Sequence, residues 1–234
     1  MKVSDFIAKF LEEKGISNVF ELSGGMITHI LDSINQTTAI NIITMHHEQG
    51  AAFAAEGFAR ISGLPGVAMA TSGPGATNLL TGIGSCYFDS TPALFITGQV
   101  NRHELKGDRG IRQLGFQETD IVSMAKPITK NAVQVEDPND IPRILEEAFQ
   151  LALEGRPGPV LIDIPMDVQR AQIEPNQLEN KLFLPKEIDT AIIHKLIQDI
   201  KAASKPLILV GRGIKAGKTQ DAFNQFVETT KIPV

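Results

Sequence analysis

The sequence predicts an α/β fold, a doubly wound and mostly parallel β-sheet with helices on both faces. Short apolar runs alternate with segments of helical periodicity along most of the chain, which is the order produced by successive β-turn-α units. Most of these runs are almost continuously apolar, as in strands that are buried on both faces. The 234 residues, at roughly 150 residues per domain, leave room for one complete domain and a truncated second α/β domain.

The amino-terminal elements are predicted from capping residues and apolar spacing. A helix begins with Ser4 as its N-cap and stops at Gly15. The pair Gly24 and Gly25 closes the next apolar run and indicates a strand that turns tightly into a helix. We expect, in order, strand 16–22, helix 26–34, strand 40–44, helix 48–61, strand 66–70, helix 76–86 and strand 92–97.

The segment 99–115 breaks this rhythm because it is polar and rich in Arg, Lys and Gly. We predict a long loop there, and long loops in compact domains are usually functional. The alternation resumes with a strand at 128–135, a helix at 140–153 and a strand at 160–164.

Two domains are predicted, joined by a polar linker. The first covers residues 1–168, and the linker covers 169–187, where no helical period persists. The second covers 188–234 and is expected to be incomplete. It contains a helix at 188–203, a buried strand at 206–210, a helix at 219–230 and the start of a strand at 232–234.

Composition excludes several classes of protein. The net charge of −5 and the lack of a basic run argue against nucleic-acid binding. The single cysteine, Cys86, excludes a disulfide framework. The amino terminus has no long apolar stretch, so we expect no signal peptide, no membrane anchor and a cytoplasmic location. No residues have the spacing of metal ligands, since the adjacent His46 and His47 would point to opposite faces of a strand.

One candidate site is the segment that joins strand 66–70 to the following helix. Its glycines let a ligand or another stretch of backbone approach closely, and amides at a helix N-terminus favour anions and hydrogen-bond acceptors. The alternative is a tight loop packed on its own domain. The candidate residues are Ser72, Gly73, Pro74, Gly75 and Asn78.

A second candidate is Glu48, which follows a strand and begins an Ala-rich helix. Ligands bind at this edge of a parallel sheet, and a carboxyl group there can exchange a proton with a ligand nitrogen. The alternative is a structural carboxylate, favoured only by the helix dipole. A weaker dinucleotide signal, Gly211 and Gly213, follows the strand predicted in the second domain.

Five segments in collinear order carry a family resemblance. They are HEQGAAFAAEGFAR at 47–60, ATSGPGATNL at 70–79, ITGQV at 96–100, FQE at 116–118 and GRPGPV at 155–160. Together they resemble acetolactate synthase and its thiamine-diphosphate-dependent relatives. The resemblance implies the pyrimidine-binding domain of that superfamily, followed by the first part of its central domain.

The resemblance implies roles for individual residues. In this family the residue matching Glu48 hydrogen-bonds N1′ of the cofactor's aminopyrimidine and promotes loss of the thiazolium C2 proton. Gln117 would face the reacting centre, and both residues would be catalytic. The implied cofactor pocket consists of Gly24, Gly25, Ser72, Gly73, Pro74, Gly75 and Asn78, together with Glu48.

Further cofactors and partners are also implied. Arg156 matches an arginine that touches FAD, and Gly211 and Gly213 would lie in the flavin-binding turn. Mg²⁺ and the diphosphate would be held by a carboxy-terminal domain that is absent from this sequence, so the fragment is expected to be inactive alone. The active site would need two chains, which implies a homodimer or homotetramer, and a small regulatory subunit is a further candidate partner.

The implied reaction is decarboxylation of pyruvate and transfer of the two-carbon unit to a second 2-keto acid. Two departures keep other outcomes open. Met166 stands where the family has Lys. The segment 107–115 is longer than usual and brings in Arg109 and Arg112; it either shapes a pocket for a larger or more anionic acceptor or is a lengthened surface loop. The alternatives are transfer to a nucleotide-linked keto sugar, glyoxylate carboligation, plain decarboxylation, pyruvate oxidation, or a non-catalytic nucleotide-binding module.

Overall fold

The first unit of the chain is built on one six-stranded parallel sheet, which confirms the predicted fold class. The structure is a computed structural model and describes residues 1–174 and 189–234. The strand order across the sheet is β2-β1-β3-β4-β6-β5, and every pairing is parallel. The strands are β1 Asn18–Leu22, β2 Asn41–Thr44, β3 Gly66–Ala70, β4 Ala93–Gln99, β5 Asn131–Gln134 and β6 Pro159–Pro165.

Helices cover both faces of this sheet. Residues of α1, α2 and α7 form one apolar core with the sheet, and residues of α3, α5 and α6 form the other. Strands β3, β4 and β6 are buried along their whole length, as expected for parallel strands with both faces covered. The helices are α1 Val3–Glu13, α2 Thr28–Thr37, α3 Glu48–Ser62, α4 Pro74–Asn78, α5 Leu80–Phe88, α6 Ile121–Ala125, α7 Ile141–Leu153 and α8 Met166–Arg170.

Two local predictions in this unit are wrong. Ser4 is not the N-cap of α1: the N-cap is Lys2 and the helix begins at Val3, and the Ser4 hydroxyl is buried and accepts a hydrogen bond from Ser33 Oγ at 2.9 Å. The single helix predicted at 76–86 is two helices, α4 and α5, which meet at Leu79. At Ser4 the local capping preference is outweighed by a tertiary contact with α2.

The second unit contains α9 Thr190–Ala202, α10 Gly213–Ala216 and α11 Gln220–Thr230. The strands predicted at 206–210 and 232–234 do not form in the described part of this unit. One backbone bond joins the two segments, from Ile208 N–H to Pro233 O at 2.9 Å, and Leu209 is 96% exposed. A strand needs a ladder of such bonds with a neighbour, which a single bond does not supply.

The predicted linker lies only partly within the described residues, because 175–187 fall outside them. Its first residues pack on the sheet unit. Met1 and Ile173 exchange backbone hydrogen bonds of 2.8 and 2.9 Å, and the Gln169 side chain is fully buried. No helix among the described residues is both long enough and apolar enough to cross a bilayer.

Candidate active site

Glu48 lies at the carboxyl edge of the sheet, where the chain leaves β2 and enters α3. It is the first residue of the 15-residue helix, so its carboxylate lies at the positive end of the helix dipole. His47 caps the helix, since its Nδ1 accepts a hydrogen bond from Gln49 N–H at 3.0 Å. Glu48 is only 8% exposed. A largely buried carboxylate therefore lies at the edge of the sheet where ligands bind.

The loop after β3 meets this carboxylate. The side-chain amide of Asn78 donates to Glu48 Oε2 at 2.9 Å, across 30 positions of sequence. A Cβ atom added at Gly75 would lie 2.8 Å from Thr71 Cγ2 and 3.2 Å from Glu48 Oε1. Glycine therefore preserves the space beside the second carboxylate oxygen, while Asn78 fixes the first.

Thr71 connects this loop to the turn after β1. Its Oγ1 accepts a hydrogen bond from Met26 N–H at 3.2 Å, and a Cβ atom at Gly24 would lie 2.4 Å from Thr71 Cβ. Side-chain bulk at Gly24 would therefore separate the two segments. At Gly25, by contrast, an added Cβ meets nothing within 4 Å, so this residue borders open space.

Gln117 reaches the same loop from a distant part of the chain. A Cβ atom at Gly73 would lie 2.8 Å from Gln117 Cβ, so the two residues are in direct contact. Gly73 has φ +69°, and Gln117, a non-glycine residue, has φ +60°. Such a conformation costs an L-residue about 1–2 kcal/mol, and strain of this kind clusters at functional sites.

Ser72 supplies a buried polar atom without a partner. Its side chain is 1% exposed, and its Oγ makes no hydrogen bond within the described residues. An unpaired buried hydroxyl is unfavourable, so this atom is available to a ligand. The carboxyl edge thus combines a shielded carboxylate, an unpaired hydroxyl and a glycine-lined space.

Comparison of the sequence with protein families identifies the family of this domain. Residues 1–124, more than half of the 234, match the family described as "Thiamine pyrophosphate enzyme, N-terminal TPP binding domain". The chain belongs to this family. The thiamine pyrophosphate enzyme resemblance drawn from the five sequence segments is therefore confirmed.

Comparison with curated proteins points to one branch of the thiamine pyrophosphate enzymes. The chloroplastic acetolactate synthase of Arabidopsis thaliana is 41% identical over 239 residues, covering 100% of this chain and 34% of the relative. The acetolactate synthase large subunit of Corynebacterium glutamicum is 41% identical, covering 97% of this chain and 36% of the relative. The acetolactate synthase of Arthrospira platensis is 43% identical, covering 96% and 39% respectively. The chain spans little more than a third of the length of these relatives.

The residues present fit the aminopyrimidine half of thiamine diphosphate. A flat, nitrogen-rich ring needs hydrogen-bonding groups at its rim and small residues at its faces. Glu48 and Ser72 offer the polar atoms, and Gly25 and Gly75 offer the space. Thiamine diphosphate binding is therefore consistent with both the family and the local chemistry.

The residues assigned to flavin lie elsewhere. Arg156 precedes β6, at the amino edge of the sheet, whereas Glu48 lies at the carboxyl edge. Seven residues of β6 span about 23 Å, so the two side chains do not share a pocket within this unit. Arg156 donates to Ser90 Oγ at 2.6 Å and Phe88 O at 3.3 Å. It borders a cavity of about 280 Å³ with Tyr87 and Lys130.

The two glycines assigned to the flavin turn lie in the second unit. Gly213 begins α10, and Gly211 precedes it by two residues. An added Cβ atom would meet nothing within 4 Å at either position. Within residues 1–174 and 189–234, no three His, Cys, Asp or Glu side chains are grouped so as to hold a metal ion.

Sequence reasoning missed three residues that shape the site. Thr71 holds the turn after β1, and His47 caps α3. Glu21, which is fully buried, accepts hydrogen bonds from Thr44 Oγ1 at 2.5 Å and Ser23 Oγ at 2.9 Å. It thereby ties the end of β2 to the turn that carries Gly24 and Gly25. For Glu21 the sequence did offer a signal, since it is the single acidic residue in the apolar run 16–22.

Asp163 is a third buried carboxyl group near the carboxyl edge, after Glu48 and Glu21. It lies on β6 opposite Thr97 and Gln134. It accepts hydrogen bonds from Thr97 Oγ1 at 2.7 Å, Gln134 Nε2 at 2.8 Å and Gln99 Nε2 at 3.1 Å. Burial raises the pKa of Asp163, and these three hydrogen bonds oppose that rise. The group joins three strands.

Proposed function

We propose that the full-length protein is a thiamine-diphosphate-dependent carboligase that decarboxylates pyruvate and transfers the two-carbon unit to a second 2-keto compound. The observation that carries the proposal is the Glu48 carboxylate, buried at the carboxyl edge and fixed by Asn78, in a chain of the thiamine pyrophosphate family. A second 2-keto acid is the first candidate acceptor, because the similar curated proteins are named acetolactate synthases.

Each residue has a defined task in this proposal. When bound, thiamine diphosphate supplies a carbon nucleophile and an electron sink. Glu48 holds or moves the proton at the pyrimidine ring nitrogen N1′, and Asn78 keeps its carboxylate in place. Ser72 and the glycines of the edge bind and orient the ring. Gln117, held in its strained conformation against Gly73, faces the reacting carbonyl.

The overall reaction balances without an oxidant. The bond between the carboxylate carbon and the carbonyl carbon of pyruvate breaks, and carbon dioxide leaves. A new carbon–carbon bond forms to the carbonyl carbon of the acceptor, and the acceptor oxygen takes up one proton. FAD, if bound through Arg156, Gly211 and Gly213, has no redox task in this scheme.

The remaining assignments are also proposals. We propose that Mg²⁺ and the diphosphate are held outside this chain, and that the active protein is a homodimer or homotetramer because the cofactor is shared between subunits. A small regulatory subunit is a further proposed partner. We propose a cytoplasmic location, although several of the relatives are named as chloroplastic enzymes.

The test uses the full-length protein with thiamine diphosphate, Mg²⁺ and FAD, fed with labelled pyruvate. We expect carbon dioxide release and a carboligation product in the mass spectrum. Glu48→Gln should keep the melting temperature within a few degrees and lower turnover at least a hundredfold, since an amide cannot exchange the proton. Glu147→Gln, an exposed carboxylate on α7, is the control. Parent-like turnover in Glu48→Gln would contradict the mechanism, and no pyruvate consumption by the parent would contradict the function.

A larger, anionic keto sugar is the second candidate acceptor. Two observations favour it. Met166, which begins α8 directly after β6, supplies no cation for the carboxylate of a 2-keto acid, and the 107–115 segment brings in Arg109 and Arg112. Mass spectrometry of products formed with different acceptors separates this candidate from the first.

A further inference from the structure

A cavity of about 200 Å³ opens at the carboxyl ends of β4 and β5. Gln99 and Gln134, the last residues of these strands, line it, and Lys106 and Thr119 lie at its wall. At about 30 Å³ per water molecule, its volume of about 200 Å³ corresponds to roughly seven waters. It has room for a compact polar ligand the size of a monosaccharide and is too small for a nucleotide.

The lining of this cavity suits hydroxyl groups. Both amide hydrogens of Gln99 are already used, because its side-chain nitrogen donates to Thr119 O and Asp163 Oδ2. Its side-chain oxygen accepts from Val100 N–H. The Gln134 side-chain amide donates one hydrogen bond to Asp163 Oδ2. Its side-chain oxygen accepts no hydrogen bond within the described residues. Asp120 lines the same cavity, and its Oδ1 accepts from Ser123 N–H, leaving Oδ2 as an acceptor. Amide and carboxylate oxygens of this kind accept hydrogen bonds from ligand hydroxyls.

Lys106 lines the cavity, and Arg109 is hydrogen-bonded to the backbone of the segment that lines it. The guanidinium of Arg109 donates to the backbone oxygens of Leu105 at 2.9 Å and Lys106 at 3.1 Å. Both of these residues line the cavity, so the charge of Arg109 is held beside it. Lys106 is half-buried, and no carboxylate of the described residues forms an ion pair with either cation.

The nearby acidic residues do not neutralise this pair. Glu118 accepts from Lys106 N–H and Leu114 N–H, both at 2.8 Å, so its carboxylate anchors the loop backbone. Glu104 accepts from the backbone and side-chain N–H groups of Asn101 in the same way. These two carboxylates thus hold the loop backbone in place and form no ion pair with Lys106 or Arg109. Cations in such positions recognise phosphate groups.

The cavity adjoins the part of the carboxyl edge that contains Gly73. Gln117 packs against Gly73, and the next two residues, Glu118 and Thr119, line the cavity. Consecutive Cα atoms are 3.8 Å apart, so the Cα atoms of Gln117 and Thr119 are at most about 7.6 Å apart. A ligand in the cavity therefore lies close to Gln117.

We propose that this cavity and two nearby cations, Lys106 and Arg109, form an acceptor subsite, and that this subsite takes the second candidate acceptor, a keto sugar that carries phosphate. The sugar hydroxyls occupy the cavity, and the phosphate pairs with Lys106 and Arg109. The assignment of the ligand as acceptor rests on the proposed two-carbon transfer. The phosphate group belongs either to a free sugar phosphate or to a nucleotide sugar, which share this chemistry.

The first test measures binding and needs no turnover. Isothermal titration of the full-length protein uses fructose 6-phosphate, UDP-linked 4-keto-6-deoxyglucose, fructose and inorganic phosphate as probes. We expect one of the two phosphorylated sugars to bind at least tenfold more tightly than both fructose and inorganic phosphate, and the tighter of the two identifies the source of the phosphate. The double variant Lys106→Gln/Arg109→Gln should lose at least tenfold in affinity. Arg143→Gln, an exposed arginine on α7, is the matched control.

Two results would overturn the proposal. One is equal affinity of the parent and the double variant for the phosphorylated probes, and the other is no binding of either probe by the parent. A second measurement separates this failure from failure of the proposed function. In the turnover assay, the KM of the double variant for the phosphorylated acceptor should rise at least tenfold relative to both the parent and Arg143→Gln. A parent that releases no carbon dioxide refutes the carboligase, and the titration still decides the subsite.

Discussion

The side-chain amide of Asn78 donates to Glu48 Oε2 at 2.9 Å and so joins the end of α4 to the start of α3. This bond links the two segments that the sequence marks as site candidates. It orients one carboxylate oxygen and leaves the other beside Gly75. A buried carboxylate that must transfer a proton at a fixed atom needs this restraint, because misplacement by about 1 Å costs on the order of a hundredfold in rate.

Asn78 is therefore expected to act as a positioning residue. Asn78→Ala should lower turnover roughly tenfold to a hundredfold, because Glu48 loses its fixed orientation. Asn78→Asp should lower it further at neutral pH and recover in part toward acidic pH, since two adjacent carboxylates share a proton more readily there. The pH dependence of turnover in both variants checks this, with Asn139→Asp on the surface as control. A pH profile of Asn78→Asp that matches the parent would contradict the role.

Gly73 should tolerate no side chain. Its φ of +69° is unfavourable for other residues, and a Cβ atom would lie 2.8 Å from Gln117 Cβ. We expect Gly73→Ala to lose about 1–3 kcal/mol of stability and to lower turnover by displacing Gln117. Gly57→Ala, in the interior of α3 with nothing within 4 Å, is the matched control and should gain about 0.5–1 kcal/mol. Urea unfolding distinguishes the two, and equal effects would argue against the contact.

Asp163 should make stability depend on pH. Burial raises the pKa of Asp163 above its ordinary value of 3.8, so the folded state favours the neutral acid. Its stabilising contribution is complete below the unfolded pKa and is lost as the pH rises through the folded pKa. Asp163→Asn removes this loss and can still pair with Thr97, Gln99 and Gln134. Its free energy of unfolding should exceed that of the parent at pH 8, with the difference shrinking toward pH 4.

Urea unfolding of Asp163→Asn and the parent at several pH values measures this difference. Asp32→Asn, which removes an exposed carboxylate from α2, controls for the change in net charge. A difference between Asp163→Asn and the parent that stays constant from pH 4 to pH 8 would show that Asp163 does not titrate with unfolding.

Arg156 should affect flavin and leave thiamine diphosphate untouched. It lies at the amino edge of the sheet, about 23 Å along β6 from the edge that carries Glu48. Arg156→Ala in the full-length protein should release FAD, seen as lost flavin absorbance, while the thiamine diphosphate affinity changes less than twofold. Arg143→Ala is the control. Equal loss of both cofactors would remove the flavin assignment.

Local pattern was sufficient for most elements of the sheet unit. The strand predicted at 66–70 coincides with β3, and the helix predicted at 48–61 differs from α3 by one residue. Continuous apolar runs and capping signals are carried by neighbouring residues, so they can be read without the fold. The strand predicted at 206–210 was wrong, because an apolar run becomes a strand only where a neighbour completes its hydrogen bonds.

The candidate site divides in the same way. Glu48 and the glycine-rich loop were found from strand ends and motifs. The roles of Thr71, Glu21 and His47 were not, because each acts through hydrogen bonds or contacts that residue type and spacing do not specify.

The sequence by itself determined the alternation of strands and helices, the family and the carboxylate at the start of α3, because these depend on short-range periodicity and contiguous motifs. Only the tertiary structure decided the strand order β2-β1-β3-β4-β6-β5, the bond between Asn78 and Glu48, the contact between Gly73 and Gln117, and the cavity below Lys106 and Arg109. These features depend on how the burial of apolar faces brings distant segments together. The free energy of that burial comes from contacts across the whole fold and is not encoded in any short segment.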